Sequence, residues 1–117
     1  MQGKKEKGKD FEELAKNYLI KKGFVFIESN YKSKCGEIDL IMKDKNTLVF
    51  IEVKGRKKTG FFDIRKSVGR KKIKRILKTA EIYIAERNLD FDEVRVDTLF
   101  LEQTGHNTEI SHFINWI

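Results

Sequence analysis

A mixed β-sheet flanked by helices is the fold class this sequence predicts, and three observations predict it. The runs Ile38–Met42 and Leu48–Val53 are apolar and β-rich, with Asp44, Lys45 and Asn46 as a turn between them, which reads as a β-hairpin. Apolar residues recur at helical spacing on either side of that hairpin, at Phe11, Leu14, Ala15, Tyr18 and Leu19 and again at Ile73, Ile76, Leu77, Ala80 and Ile84. A later alternating run, Glu93–Leu101, supplies another strand. The expected order is helix, three strands, helix, two strands, an α/β arrangement with helices covering the sheet.

Each element has a local reason. The first helix is expected over residues 10–22, with Asp10 as N-cap, Glu12 and Glu13 favourably placed in the first turn, and Gly23 as its stop. Ahead of it, residues 1–9 carry Lys4, Lys5, Lys7 and Lys9 with little apolar surface, and read as a basic flexible arm before a single domain over 10–117. Phe24–Glu28 reads as the first strand, and Tyr31–Lys34 as the loop leading to the hairpin. Residues 57–62 read as a loop whose Phe61 and Phe62 either pack in the core or stack on bases. The second helix is expected from near Gly69, with Ile64 and Val68 extending its apolar periodicity. Residues 103–107 read as a turn, and 109–117 as a last strand in which Trp116 covers core or a subunit contact.

Composition narrows the function classes. A chain of 117 residues suits one core. No apolar run approaches the ~18 residues of a membrane span and no signal-peptide pattern is present, so a cytoplasmic protein that does not engage membranes is expected. The single Cys35 excludes an intrachain disulfide and a Cys-rich zinc site. There is no Gly-rich phosphate loop, no internal repeat and no Ser-His-Asp pattern; His106 and His112 read as structural or exposed.

Charge points to a polyanion. The net charge is +7, and its distribution decides what that means: Arg65, Lys66, Arg70, Lys71, Lys72, Lys74, Arg75 and Lys78 place eight positive charges and no negative one within fourteen positions. Arg56, Arg70, Lys71, Lys72 and Arg75 are the expected nucleic-acid contacts, each adding to a salt-dependent affinity for phosphates.

The hairpin carries the chemistry. Asp39 lies inside its first strand, and Glu52 and Lys54, two apart, project from one face of the second. Two carboxylates crowded together repel unless a divalent cation lies between them, and hard carboxylate oxygens suit Mg²⁺ or Mn²⁺. A metal so held, joined by the Val53 carbonyl, can polarise a phosphodiester while Lys54 positions or activates water. A solvent-exposed ion pair is the plain alternative for these three residues, and spacing alone does not discard it.

The wider pattern resembles a known family. Gly36-Glu37-Ile38-Asp39-Leu40-Ile41 followed by Val49-Phe50-Ile51-Glu52-Val53-Lys54-x-Arg56 is similar to the signature of the YraN-type family, small bacterial proteins of the PD-(D/E)xK nuclease superfamily. The likeness runs over residues 8–117 through Gly8, Glu12, Ala15, Leu19, Gly23, Asn30, Lys72, Arg95-x-Asp97 and His112–Asn115. It departs at Phe61-Phe62, where an aromatic-Gly pair is usual, and at Val96, where Phe is usual. The resemblance implies a restriction-endonuclease-like three-layer α/β/α core, similar to that of Holliday-junction resolvases. It also implies Asp39 and Glu52 as metal ligands, Lys54 as catalytic lysine and Glu12 as supporting acid.

Two functions from different classes follow. One is a Mg²⁺- or Mn²⁺-dependent endonuclease acting on nucleic acid, DNA ahead of RNA and branched DNA included, with a homodimer as the simplest way to cut two strands. The other is a nucleic-acid-binding module that keeps the fold while its activity is weak or needs a partner.

Overall fold

The structure of the protein, a computed structural model, describes residues 4–57 and 69–115, with side chains at all of these except residues 4–9 and Arg70. Seven elements follow in the expected order: α1 (Lys4–Lys21), β1 (Val25–Ser33), β2 (Gly36–Asp44), β3 (Thr47–Lys57), α2 (Arg70–Glu86), β4 (Glu93–Thr104) and β5 (Asn107–Phe113). The five strands form one sheet in the order β1-β2-β3-β4-β5, antiparallel throughout except for the parallel pair β3–β4. That pair requires a crossover, and α2 lies in it.

Alternation along the central strands sends side chains to two separate cores. Leu40, Met42, Val49, Ile51, Leu99 and Leu101 meet Ala15 and Leu19 of α1. On the other face Ile38, Ile41, Leu48, Phe50 and Val96 meet Ile76, Ala80 and Tyr83 of α2. The result is the expected α/β/α sandwich, with β3 so central that Leu48, Val49, Phe50 and Ile51 are all fully buried. Such a strand reads as a continuous apolar run, as this one does.

Two glycines set how close the layers come. A Cβ on Gly55 would run into the ring of Phe11, so the end of β3 is bare where α1 crosses it. A Cβ on Gly36 would stand 3.3 Å from Thr79 Oγ1, and the start of β2 thereby admits α2 closely.

Several boundaries differ from expectation. Helix α1 begins at Lys4 rather than Asp10, so residues 4–9 are helical instead of a flexible arm, Asp10 is no N-cap, and Glu12 and Glu13 lie beyond the first turn. Lysine and glutamate are good helix formers and extend the helix outward without an apolar stripe to reveal it. Strand β1 continues through the expected loop to Ser33, passing Asn30 in a left-handed conformation with φ of 54°. The last turn contracts to Gly105-His106, and β5 ends at Phe113. Residues 1–3, Phe61, Phe62, Ile64, Arg65, Lys66, Val68 and Trp116 lie outside the described residues.

Candidate active site

The hairpin opens where its chemistry begins. Registered pairs between β2 and β3 run from Asp44↔Thr47 to Leu40↔Ile51, and beyond them a side chain takes over the ladder: Asp39 Oδ2 accepts the Val53 N–H at 2.8 Å. Val53 is tied to the site by that N–H while its side chain packs against the α1-face core. Glu52, one residue earlier, is fully enclosed at 4% exposure.

Glu52 meets two cations on one oxygen. Lys72 of α2 approaches its Oε1 at 2.6 Å, and Lys54 of its own strand stands 3.9 Å from the same atom. Asp39, Glu52, Lys72 and Arg75 line a cleft of about 230 Å³ together with Gly36, Glu37 and Ile76. Charges from a hairpin and from the first turn of the crossover helix therefore converge at one mouth of the sandwich.

The electrostatics mark the cluster as unfinished. Burial, and then the charge of Glu52, push Asp39 from an ordinary 3.8 up to about 8, with Glu12 adding to the rise; only the Val53 N–H pulls the other way. Lys54 is lowered by burial and by its hydrogen bond to Lys72. Burial opposes the charge on Lys72 too, but the hydrogen bond and charge of Glu52 outweigh it and Lys72 is raised. Of the two hydrogen-bonded amines, Lys54 is thus the one that gives up its proton first.

A divalent cation fits this donor set. The paired oxygens of Asp39 and Glu52 are hard ligands, and an ion that keeps several waters needs few of them. Among the described residues no three His, Cys, Asp or Glu side chains converge in a metal-ligating group.

The remaining expected residues sit around this centre in different ways. Glu12 is near enough for its charge to act on Asp39. Arg56 donates its Nε to the Lys57 carbonyl at 3.2 Å on the surface. Lys71, Lys74, Arg75 and Lys78 lie exposed along α2, and the side chain of Arg70 is outside the described residues. The N-terminus of α2 has Gly69 at its cap, with no side-chain cap bond and no acid in its first turn. The positive dipole end of α2 adds to the charge of the lysines in its first turn.

Sequence reasoning missed two features. Lys72 was expected only as a phosphate contact, and its ion pair to Glu52 has no local signal because the partners come from different layers. Asp97 belongs to another network: it accepts from Arg95 at 2.8 and 2.9 Å, from the Asn115 N–H at 2.9 Å, and pairs with His112 Nε2 at 2.8 Å. Arg95 stands two residues from Asp97 on β4, whereas His112 and the chain reversal at Asn115 reach it from fifteen and eighteen residues on.

Fold and site together define a small α/β sandwich with an acid–lysine cluster at the mouth of its central hairpin. The sequence profile described as "Uncharacterised protein family UPF0102" matches residues 11–101, so the chain belongs to that family. It is 36% identical over 115 residues to a UPF0102 protein of Vibrio parahaemolyticus, covering 97% of this chain and 90% of the relative. It is 42% identical over 111 residues to one from Clostridioides difficile, at 95% and 96% coverage. A third, from a Sulfurihydrogenibium species, is 43% identical over 99 residues, at 85% and 86% coverage. The YraN-type resemblance is thereby borne out at the level of the family. Among the described residues no helix is long and apolar enough to cross a membrane.

Proposed function

We propose that this protein is a Mg²⁺- or Mn²⁺-dependent endonuclease of the PD-(D/E)xK type that hydrolyses phosphodiester bonds in nucleic acid, with DNA as the first substrate to test. The observation that carries the reading is the meeting of Asp39 and Glu52 in one cleft, with Lys54 3.9 Å from Glu52 Oε1 and the exposed Lys71, Lys74, Arg75 and Lys78 along the adjoining half of α2. A purely structural cluster has no use for a carboxylate pushed up to about 8.

Asp39 and Glu52 would hold the ion, with the Val53 carbonyl beside them; the ion would supply charge neutralisation at the phosphate and a more acidic water. Lys54, whose ammonium is weakened by burial and by Lys72, would take a proton at Nζ from the attacking water or orient it. Lys71 and Arg75 would fix the phosphate backbone in register with the cleft, and Glu12 would hold a water of the ion from α1. One site per chain cuts one strand, so cleavage of a duplex calls for two copies about a two-fold axis.

Isothermal titration of Mn²⁺ into wild type, Asp39→Asn and Glu52→Gln, alongside cleavage of plasmid and branched-junction DNA, tests the reading. Metal binding is expected to vanish in both variants with the fold intact, and cleavage to drop at least ~100-fold. Cleavage that survives Asp39→Asn would sink the site assignment. A second reading, a nucleic-acid-binding module, draws on the way Lys72 already neutralises Glu52 without a metal. Tight DNA binding by a wild-type protein that takes up no Mn²⁺ would select it.

A further inference from the structure

Lys72 occupies an awkward place for a residue serving only helix stability or phosphate binding. It lies in the first turn of α2, where the helix dipole disfavours a cation and where no acidic residue compensates it. What holds it there is Glu52, at 2.6 Å, a closer approach than Lys54 makes to the same oxygen. The partners differ in freedom: Glu52 is 4% exposed and fixed in the central strand, whereas Lys72 is 39% exposed on a flexible stem. The carboxylate cannot leave the site, but the ammonium can.

We propose that Lys72 is a resident counter-cation that keeps Glu52 from a divalent metal until a phosphodiester draws its ammonium away, so that metal loading is coupled to nucleic-acid binding. This rests on the endonuclease reading above and adds a control step to the same site. Glu52 Oε1 cannot give its full charge to a metal while it bonds Lys72. A phosphate entering the cleft meets Lys72 and Arg75 at its wall. The positive dipole end of α2, in whose first turn Lys72 lies, favours an anion there. Once Lys72 turns to that phosphate, Glu52 is bare and the ion follows. Linkage makes the effect reciprocal: whatever factor the phosphodiester adds to metal affinity, the metal adds to phosphodiester affinity.

The test is Mn²⁺ titration, read as free Mn²⁺ by electron paramagnetic resonance, on the full chain of wild type, Lys72→Met and Glu52→Gln. Each is measured with and without a short hydrolysis-resistant phosphorothioate DNA duplex, and circular dichroism verifies folding. Without duplex, Lys72→Met is expected to bind Mn²⁺ about tenfold or more tightly than wild type; with duplex, wild type is expected to gain that factor and the variant to gain little. Lys72→Gln, which keeps a neutral donor to Glu52, should fall between them and serves if the methionine variant does not fold. Equal or weaker Mn²⁺ binding by the Lys72 variants in the absence of duplex overturns the proposal, as does an equal gain from duplex in wild type and variant. If that result comes with Mn²⁺ binding lost in Glu52→Gln, the carboxylate site stands and only the role of Lys72 falls. If no form binds Mn²⁺ with or without duplex, the endonuclease reading falls as well.

Discussion

Asp97 and Asp39 are carboxylates on the same sheet, on β4 and β2 with β3 between them, and they are treated in opposite ways. Asp97 is fully buried and accepts from the Arg95 guanidinium, His112 and the Asn115 N–H, and Arg95 reaches on to Asp44. Burial alone would raise Asp97, but these donors outweigh it and hold its carboxyl below the usual carboxylate range. Asp39 is half-buried, receives one N–H from Val53, and is crowded by Glu52, so burial and then that charge raise it to about 8. The difference teaches where to look for function: a carboxylate whose partners complete it holds structure together, and one left uncompensated awaits a partner that the chain does not contain.

The comparison can be broken at its strong end first. Asp97→Ala leaves a buried His112 and a partly buried Arg95, the latter still reaching Asp44, and should destabilise the fold by about 2–4 kcal/mol in urea denaturation at pH 7. The sign with pH follows from the lowered carboxyl: its contribution is present above about pH 4 and fades as pH falls through the folded-state value, so the gap between variant and wild type should narrow in acid. A loss under about 1 kcal/mol would mean that the network is ornamental.

Metal affinity sharpens the other end. An ion that binds ionised Asp39 competes with a proton held up to about pH 8, so Mn²⁺ affinity should rise about tenfold per pH unit from pH 6 toward 8 and level off above it. Titrations at pH 6, 7, 8 and 9 read this directly, and a flat profile would place the metal elsewhere. The smallest effect concerns the metal-free fold. Between the ordinary value of 3.8 and about 8 the native state holds one proton more than the unfolded chain, so Asp39 costs stability increasingly as pH rises through that window. Asp39→Asn keeps an acceptor for Val53 without that burden, and in chelator-containing buffer it should gain at least ~1 kcal/mol on wild type at pH 9 relative to pH 5. No gain would show that Asp39 is not the strained carboxylate.

What could be read in the chain followed physical range. Period and turn chemistry are local, so the hairpin around Lys45-Asn46, the strand β4 and the helix starting after Gly69 were all legible. The reach of α1 back to Lys4 was not, because helix formers without an apolar stripe look like a solvated tail. Nor was the passage of β1 through Asn30, whose left-handed backbone looks like a loop to any pattern rule. The acid pair and Lys54 share one hairpin and could be anticipated together. The Lys72–Glu52 contact and the meeting of His112 and Asn115 with Asp97 depend on tertiary register, which alternation does not encode.

The parallel pairing of β3 with β4 has a kinetic side. Thr47 meets Glu93 only after α2 has carried the chain across the sheet, whereas β1, β2 and β3 fold back on one another through short turns. Closing the long crossover must precede any reward from it, which sets the pace of folding. Asp39 and Glu52 are therefore brought face to face by the early meander, before α2 has docked and set Lys72 against Glu52. The carboxylate pair should act as a brake on the rate-limiting step, and refolding in stopped flow should quicken in Glu52→Gln.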